Sequence, residues 1–188
     1  EWKGIYRMLR PRLIGIAGFA RSGKDTAAKI LQQKFLKNWG EEMKIISFAK
    51  ALKEDCEPFF QKHFGISAFT EISLEKELIR PMLVEYGQAM KKKFGNTIWM
   101  DKAIAAVGTR GIVPDVRFPI EIDAIKGMGG TIVYVDKIGV AAANELEERH
   151  DKVLRDKADY VIRWPHYGDV ESCEVDVEGF MENFPGRK

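Results

Sequence analysis

The segment LIGIAGFARSGKDT, residues 13–26, constrains the fold of this chain more than any other. A short apolar run ends in Gly18, and Gly23 and Lys24 complete the spacing G-x-x-x-x-G-K. Apolar residues then recur at helical intervals at Ala27, Ile30, Leu31, Phe35 and Leu36. A strand, a glycine-bounded turn and a helix in that order form the frame in which backbone N–H groups converge on a phosphate. A chance G-x-x-x-x-G-K in a strand-to-helix turn is the competing reading. The run 13–18 is uniformly apolar rather than alternating, which suits a parallel strand buried on both faces.

The rest of the chain repeats the alternation. Strands are expected over 43–48, 111–115, 131–136 and 159–164. Helices are expected over 23–38, 50–64, 74–93, 98–107, 120–128, 144–155 and 177–183. Gly40 reads as a helix stop and Ser73 as an N-cap, and Pro81 is expected to bend or restart its helix. Strands alternating with helices predict an α/β fold around a parallel sheet. No repeat, low-complexity tract or linker interrupts it. Residues 1–188 read as one domain, with 1–11 an extension ahead of the first strand.

Composition excludes several classes. Hydrophobic residues make up 45% of the 188 and charged residues 31%, which supports a packed core and argues against disorder. The net charge of +2 lacks the basic excess of a dedicated nucleic-acid binder. No apolar run approaches the ~20 residues that span a bilayer. Cys56 and Cys173 lack the spacing of a zinc site or a disulfide framework, so a reducing, cytoplasmic setting is expected.

The loop residues take roles from their positions. Gly18 and Gly23 permit the tight turn. N–H groups from Ala20, Arg21, Ser22, Gly23, Lys24, Asp25 and Thr26 would surround the α- and β-phosphates of ATP. Lys24 would reach the β- and γ-phosphates, and the Thr26 hydroxyl the α-phosphate. Asp25 stands where a Ser or Thr usually ligates Mg²⁺. A carboxylate there can hold Mg²⁺ directly or through its waters, and the alternative is plain support of the helix N-terminus. Arg21, Lys24 and the metal would offset repulsion between Asp25 and the nucleotide.

Asp115 and Arg117 close the strand GIVPD at the carboxyl edge of the expected sheet, where ligands of α/β proteins bind. Such an Asp can orient Mg²⁺ waters and such an Arg can clamp phosphoryl oxygens, or the two can pair and cap the next helix. Tyr86 and Trp99 could stack on a base or serve as packing. Lys91–Phe94 reads as a solvated helix end. Arg149, His150 and Arg155 lie in the charged segment ELEERHDKVLRDK, which by itself reads as an ordinary charged helix. Cys56 reads as buried packing.

At RSGKDT the sequence resembles the phage-type deoxynucleoside monophosphate kinases, whose loop carries the same Asp. The resemblance continues in order at SFAKALKED, IRPMLVEYGQ, NTIWMDKA, VPDVRFPIEIDAIKGMGGTIVYV and ADYVI, covering about 13–162. It implies an adenylate-kinase-like, three-layer P-loop fold with a five-stranded parallel sheet and a lid over ATP at about 137–157, where Arg149, His150 and Arg155 would lie. It implies ATP with Mg²⁺ and a deoxynucleoside monophosphate acceptor. It further implies that Lys53 contacts the acceptor nucleotide, that Arg80 binds its phosphate, and that Gly87 and Gln88 lie close to the nucleoside. Asp115 and Arg117 would stand between donor and acceptor, with Trp99 among the substrate-binding candidates. The chain departs from the pattern at Pro81, which replaces a second arginine. It departs again at Pro119 and Ile120, and at HDKV, which keeps only His150.

The resulting expectation is an ATP-dependent deoxynucleoside monophosphate kinase with no nucleic-acid or membrane partner. It would work in the cytoplasm, the host's if the chain is of phage origin. A homodimer is left open. The alternatives are another P-loop small-molecule kinase, such as a phosphomevalonate kinase, and a nucleotide-binding protein without catalysis.

Overall fold

The computed structural model describes residues 13–108, 110–142, 145–164 and 170–182. The extension 1–11 and the side chain of Cys173 lie outside them. The chain divides into two compact units, residues 1–45 with 108–188, and residues 46–107.

The first unit holds the sheet. Its strands are β1 (Leu13–Ala17), β2 (Lys44–Ile45), β3 (Gly111–Val116), β4 (Thr131–Lys137) and β5 (Tyr160–Trp164). All pair in parallel, in the order β2-β3-β1-β4-β5. The register sets Leu13 beside Gly111 and Ile14 beside Thr131. The unit's helices are α1 (Lys24–Trp39), α5 (Pro119–Gly127), α6 (Glu145–Lys157) and α7 (Val170–Glu182). They cover both faces, completing three layers. On one face Ile14, Ile16, Ile112, Val133, Val135 and Ile162 are buried with Ala27, Leu31 and Phe35 of α1 and with Val177, Phe180 and Met181 of α7. Gly15 and Ile132 turn to the other face, where Ile125 of α5 reaches Gly15. Period-two alternation on β1 and β4 thus supplies both cores.

The second unit is helical: α2 (Phe48–Phe64), α3 (Ser73–Phe94) and α4 (Ile98–Val107). Cys56, Phe60, Ala68, Ile79 and Leu83 form its buried cluster, with Leu52, Ile66 and Met82 packed against it. The Glu57 carboxylate anchors the connection between α2 and α3. It accepts hydrogen bonds from Ser67 Oγ at 3.0 Å and from the Ala68 N–H at 2.6 Å. These donors, with Gln61 foremost, hold its carboxyl below the usual carboxylate range.

Four expectations about elements are corrected. The second strand keeps only two residues, because Ser47 leaves the ladder and its Oγ accepts the Lys50 N–H at 3.2 Å, capping α2. Ser73 is the first residue of α3, and the cap position is Ile72, without a side-chain bond. The helix does not restart at Pro81 but runs on to Phe94; residue 81 is exposed, so its missing N–H faces no buried acceptor. The last helix begins at Val170, because Glu174 and Glu178 on its outer side engage Lys34 while Val177, Phe180 and Met181 face the core.

Candidate functional site

β1 ends at Ala17, and the chain turns through Gly18–Gly23 into α1. Arg21 adopts φ 65°, a left-handed conformation uncommon outside glycine, and Gly23 follows at φ 91°. Gly23 has no side chain to cap α1, so the first-turn N–H groups lack a side-chain acceptor at the cap. The turn is held from within. Ser22 N–H donates to Phe19 O at 3.1 Å and Ala27 N–H to Gly23 O at 2.9 Å. Ser22 is 1% exposed, and its Oγ has no partner among the described residues.

Lys24 folds back over the turn. Its Nζ donates to Gly18 O at 2.9 Å and to Phe19 O at 2.7 Å. Burial pulls its pKa below the ordinary lysine value. Asp115 opposes that shift, Arg117 adds to it, and Glu147 and Asp25 oppose it. The ammonium is therefore fixed beside a mixed field. Asp25 and Thr26 are exposed on the first turn of α1.

The end of β3 supplies the second group. Arg117 Nε and Nη2 both donate to Asp115 Oδ2 at 2.8 Å, and this bond raises the guanidinium pKa against partial burial. The Arg–Asp pair foreseen as an alternative is present, but it does not cap α5. Glu121, 6% exposed, does that: its Oε2 accepts the N–H groups of Arg117 at 2.8 Å and Phe118 at 3.1 Å. Gly18, Phe19, Asp115, Arg117, Glu147 and Asp151 line one small cleft. The turn after β1 and the end of β3, distant in sequence, thus share a wall.

Glu147, near the start of α6, was not anticipated from the sequence. Its Oε2 accepts the Ala20 N–H of the loop at 3.3 Å, so a carboxylate already meets one of the donors expected to hold phosphate. Arg155 is bound elsewhere. It pairs with Asp136 at 3.0 Å and lies over the Tyr134 ring at 4.8 Å. Tyr134 donates to Asp151, and burial followed by that bond pushes its pKa well up. His150 sits edge-on to Phe118 with ring centroids 5.5 Å apart, and its Nδ1 is buried without a partner among the described residues. Arg149 is exposed.

The remaining candidates lie in the second unit. Lys53 Nζ lies over Phe69 at 5.5 Å. Arg80 and Gln88 are exposed on α3. Gly87 is buried, and its carbonyl accepts Trp99 Nε1–H at 3.3 Å. Trp99 is 5% exposed, with Tyr86 against its ring at 5.9 Å.

Among the described residues no three His, Cys, Asp or Glu side chains gather into a metal cluster. Mg²⁺ rarely takes a full protein cage. It keeps waters and binds through one or two carboxylates and the phosphates of a substrate. Asp25 and Asp115 both act electrostatically on the Lys24 ammonium, and a carboxylate is the kind of ligand that a hydrated Mg²⁺ takes.

No protein-family model matches the chain, and no curated protein matches it by sequence. Solved structures do match. Dephospho-CoA kinase from Campylobacter jejuni superposes with a TM-score of 0.50 at 15% identity, covering 94% of this chain and 99% of that one. Shikimate kinase from Acinetobacter baumannii, in complex with shikimate, gives 0.49 at 10% identity, covering 95% of each chain. The likeness to the first, with the strand order, shows that this chain shares its three-layer α/β fold. None of the described helices is long and apolar enough to cross a membrane.

Proposed function

We propose that this protein transfers the γ-phosphoryl group of ATP to the 5′-phosphate of a deoxynucleoside monophosphate, giving the diphosphate and ADP. The observation that carries the reading is the lodging of the Lys24 ammonium between the Gly18 and Phe19 carbonyls, beside the Asp115–Arg117 pair. A cation fixed in this way needs little reorganisation when negative charge develops on a transferring phosphoryl group. N–H groups from Ala20 to Thr26 bind the α- and β-phosphates. Lys24 and Arg117 draw charge from the γ-phosphoryl oxygens. Asp25 and Asp115 would hold Mg²⁺, which when bound supplies positive charge to the β- and γ-phosphates. No covalent intermediate is required, because positioning and electrostatics suffice for this chemistry.

The acceptor assignment is supported by the ordered motifs. Arg80 is the acceptor-phosphate ligand, and Lys53, Gly87 and Gln88 contact the nucleotide. Trp99 supports Gly87 through its indole N–H. Arg149, His150 and Arg155 belong to the segment that covers ATP. The protein acts in the cytoplasm on small molecules, as a monomer or a homodimer.

A coupled ADP-release assay with ATP and Mg²⁺ tests the reading against each nucleoside and deoxynucleoside monophosphate, phosphomevalonate and dephospho-CoA. At least one deoxynucleotide should turn over fastest. Turnover of phosphomevalonate or dephospho-CoA alone would replace the acceptor. ATP binding with no acceptor-dependent ADP would leave a nucleotide-binding protein without catalysis.

A further inference from the structure

The buried indole at the end of β5 has no part in the proposed chemistry, yet it is bonded to the phosphate loop. Trp164 is the last residue of its strand and 2% exposed. It packs in the cluster that includes Val177, Phe180 and Met181. Its Nε1–H donates to Ser22 O at 2.7 Å, across 142 positions of sequence. Its six-membered ring lies against Gly23: a Cβ there would stand 2.4 Å from Cζ2 and 3.2 Å from Cε2. Its carbonyl accepts the Ile138 N–H at 3.2 Å, which ties the residue to the chain beyond β4.

An indole has one donor and no acceptor, so a buried tryptophan requires a single fixed partner. Here that partner is a backbone carbonyl inside the loop. The peptide joining Ser22 to Gly23 is planar and trans, so its C=O and N–H point in opposite directions. Holding the Ser22 carbonyl on the indole therefore turns the Gly23 N–H away from it. Among the described residues that N–H has no acceptor. We infer that Trp164 is a positioning residue of the loop, which pre-sets the Ser22–Gly23 peptide so that the Gly23 N–H is offered to a nucleotide phosphate. The inference rests on the triphosphate part of the proposed function and is independent of the acceptor. Without the indole bond the peptide is free to rotate, and the phosphate must order it on binding.

Trp164→Phe keeps a ring against Gly23 and removes the donor. Calorimetric titration of the full chain with ATP–Mg²⁺ should show binding weakened roughly 3–10-fold, as expected for one lost hydrogen bond. ADP should weaken alike, and the acceptor KM should stay unchanged. Phe180→Leu is the control, a change in the same core cluster with no hydrogen bond to the loop. Equal weakening in both variants, or unaltered ATP affinity in Trp164→Phe with a lowered Tm, overturns the inference and leaves Trp164 as packing. A second measurement needs no variant at position 164. In ¹⁵N-tryptophan-labelled protein, with the signals of Trp2, Trp39 and Trp99 assigned through their phenylalanine variants, the remaining indole resonance should shift and exchange more slowly on ATP–Mg²⁺ addition. An indole signal that stays fixed while ATP saturates also overturns it. If ATP binds but no acceptor turns over, the proposed acceptor fails and Trp164 is still judged by these titrations. If ATP does not bind the native chain, both readings fall.

Discussion

Gly23 and Gly87 were both singled out as binding residues, and their surroundings differ in kind. Gly23 has φ 91°, and a methyl group there would collide with the Trp164 ring at 2.4 Å. Gly87 lies inside α3, where a methyl group would meet Leu52 Cδ2 at 3.5 Å and Trp99 Nε1 at 3.9 Å, ordinary packing distances. The fold of the first unit demands a glycine at 23. The fold of the second would accept alanine at 87 and gain from it, since glycine within a helix costs about 1 kcal/mol relative to alanine. Where folding and chemistry ask for the same residue, a sequence carries a legible motif. Where the fold does not ask, the residue's reason lies in something the helix meets from outside.

Substitutions at five positions sharpen or break this contrast. Lys24→Ala should lower turnover by ~10²–10³ with an unchanged circular dichroism spectrum, because it removes one preset cation at the transferring group; near-normal activity would end the assignment of the loop. Gly23→Ala should destabilise by about 2–4 kcal/mol through its left-handed backbone and the clash with Trp164, read as a shifted denaturation midpoint. Arg80→Ala should raise the acceptor KM by roughly 10–150-fold and leave that of ATP nearly unchanged. The reverse pattern would exchange the donor and acceptor sites. Asp25→Ala should need more Mg²⁺ for half-maximal rate, with part of the rate recovered at high Mg²⁺ and Asp25→Ser falling between it and the native chain. Superimposable Mg²⁺ curves, with stability lowered only by the ~0.3–1 kcal/mol of a helix N-terminal carboxylate, would remove the metal role. Gly87→Ala should stabilise the chain by up to about 1 kcal/mol while weakening the acceptor. Full activity in that variant would show that nothing approaches the helix there.

Local signals carried most of the fold. The apolar run over 13–17 became the fully buried central strand, and the helical periodicity after Gly23 became α1. What the sequence hid was decided by competition or by distance. Ser47 looks like strand until its hydroxyl is seen capping α2. Among site residues, Lys24, Asp115 and Arg117 stand in motifs or at a strand end. Glu147 and Trp164 reach the loop across 127 and 142 positions, and no local pattern foretells such partners. A tryptophan closing a strand at the carboxyl edge of a parallel sheet was the one hint available. Glu121 shows the intermediate case. It belongs to a quoted motif, but its work is to receive two backbone N–H groups and shape the turn that presents Arg117.

The order of the strands also governs when the surroundings of the loop are complete as the chain is made. β1 emerges first, yet its two neighbours in the sheet begin roughly a hundred residues later, and contacts of such sequence separation form slowly. The whole second unit is synthesised before either neighbour exists. Trp164, which grips the loop's carbonyl, comes later still. A nascent chain stalled before β5 therefore displays the complete Gly18–Thr26 motif without the residue that holds its peptide in place. Proofs of activity by truncation must retain the far end of the chain to test the near one.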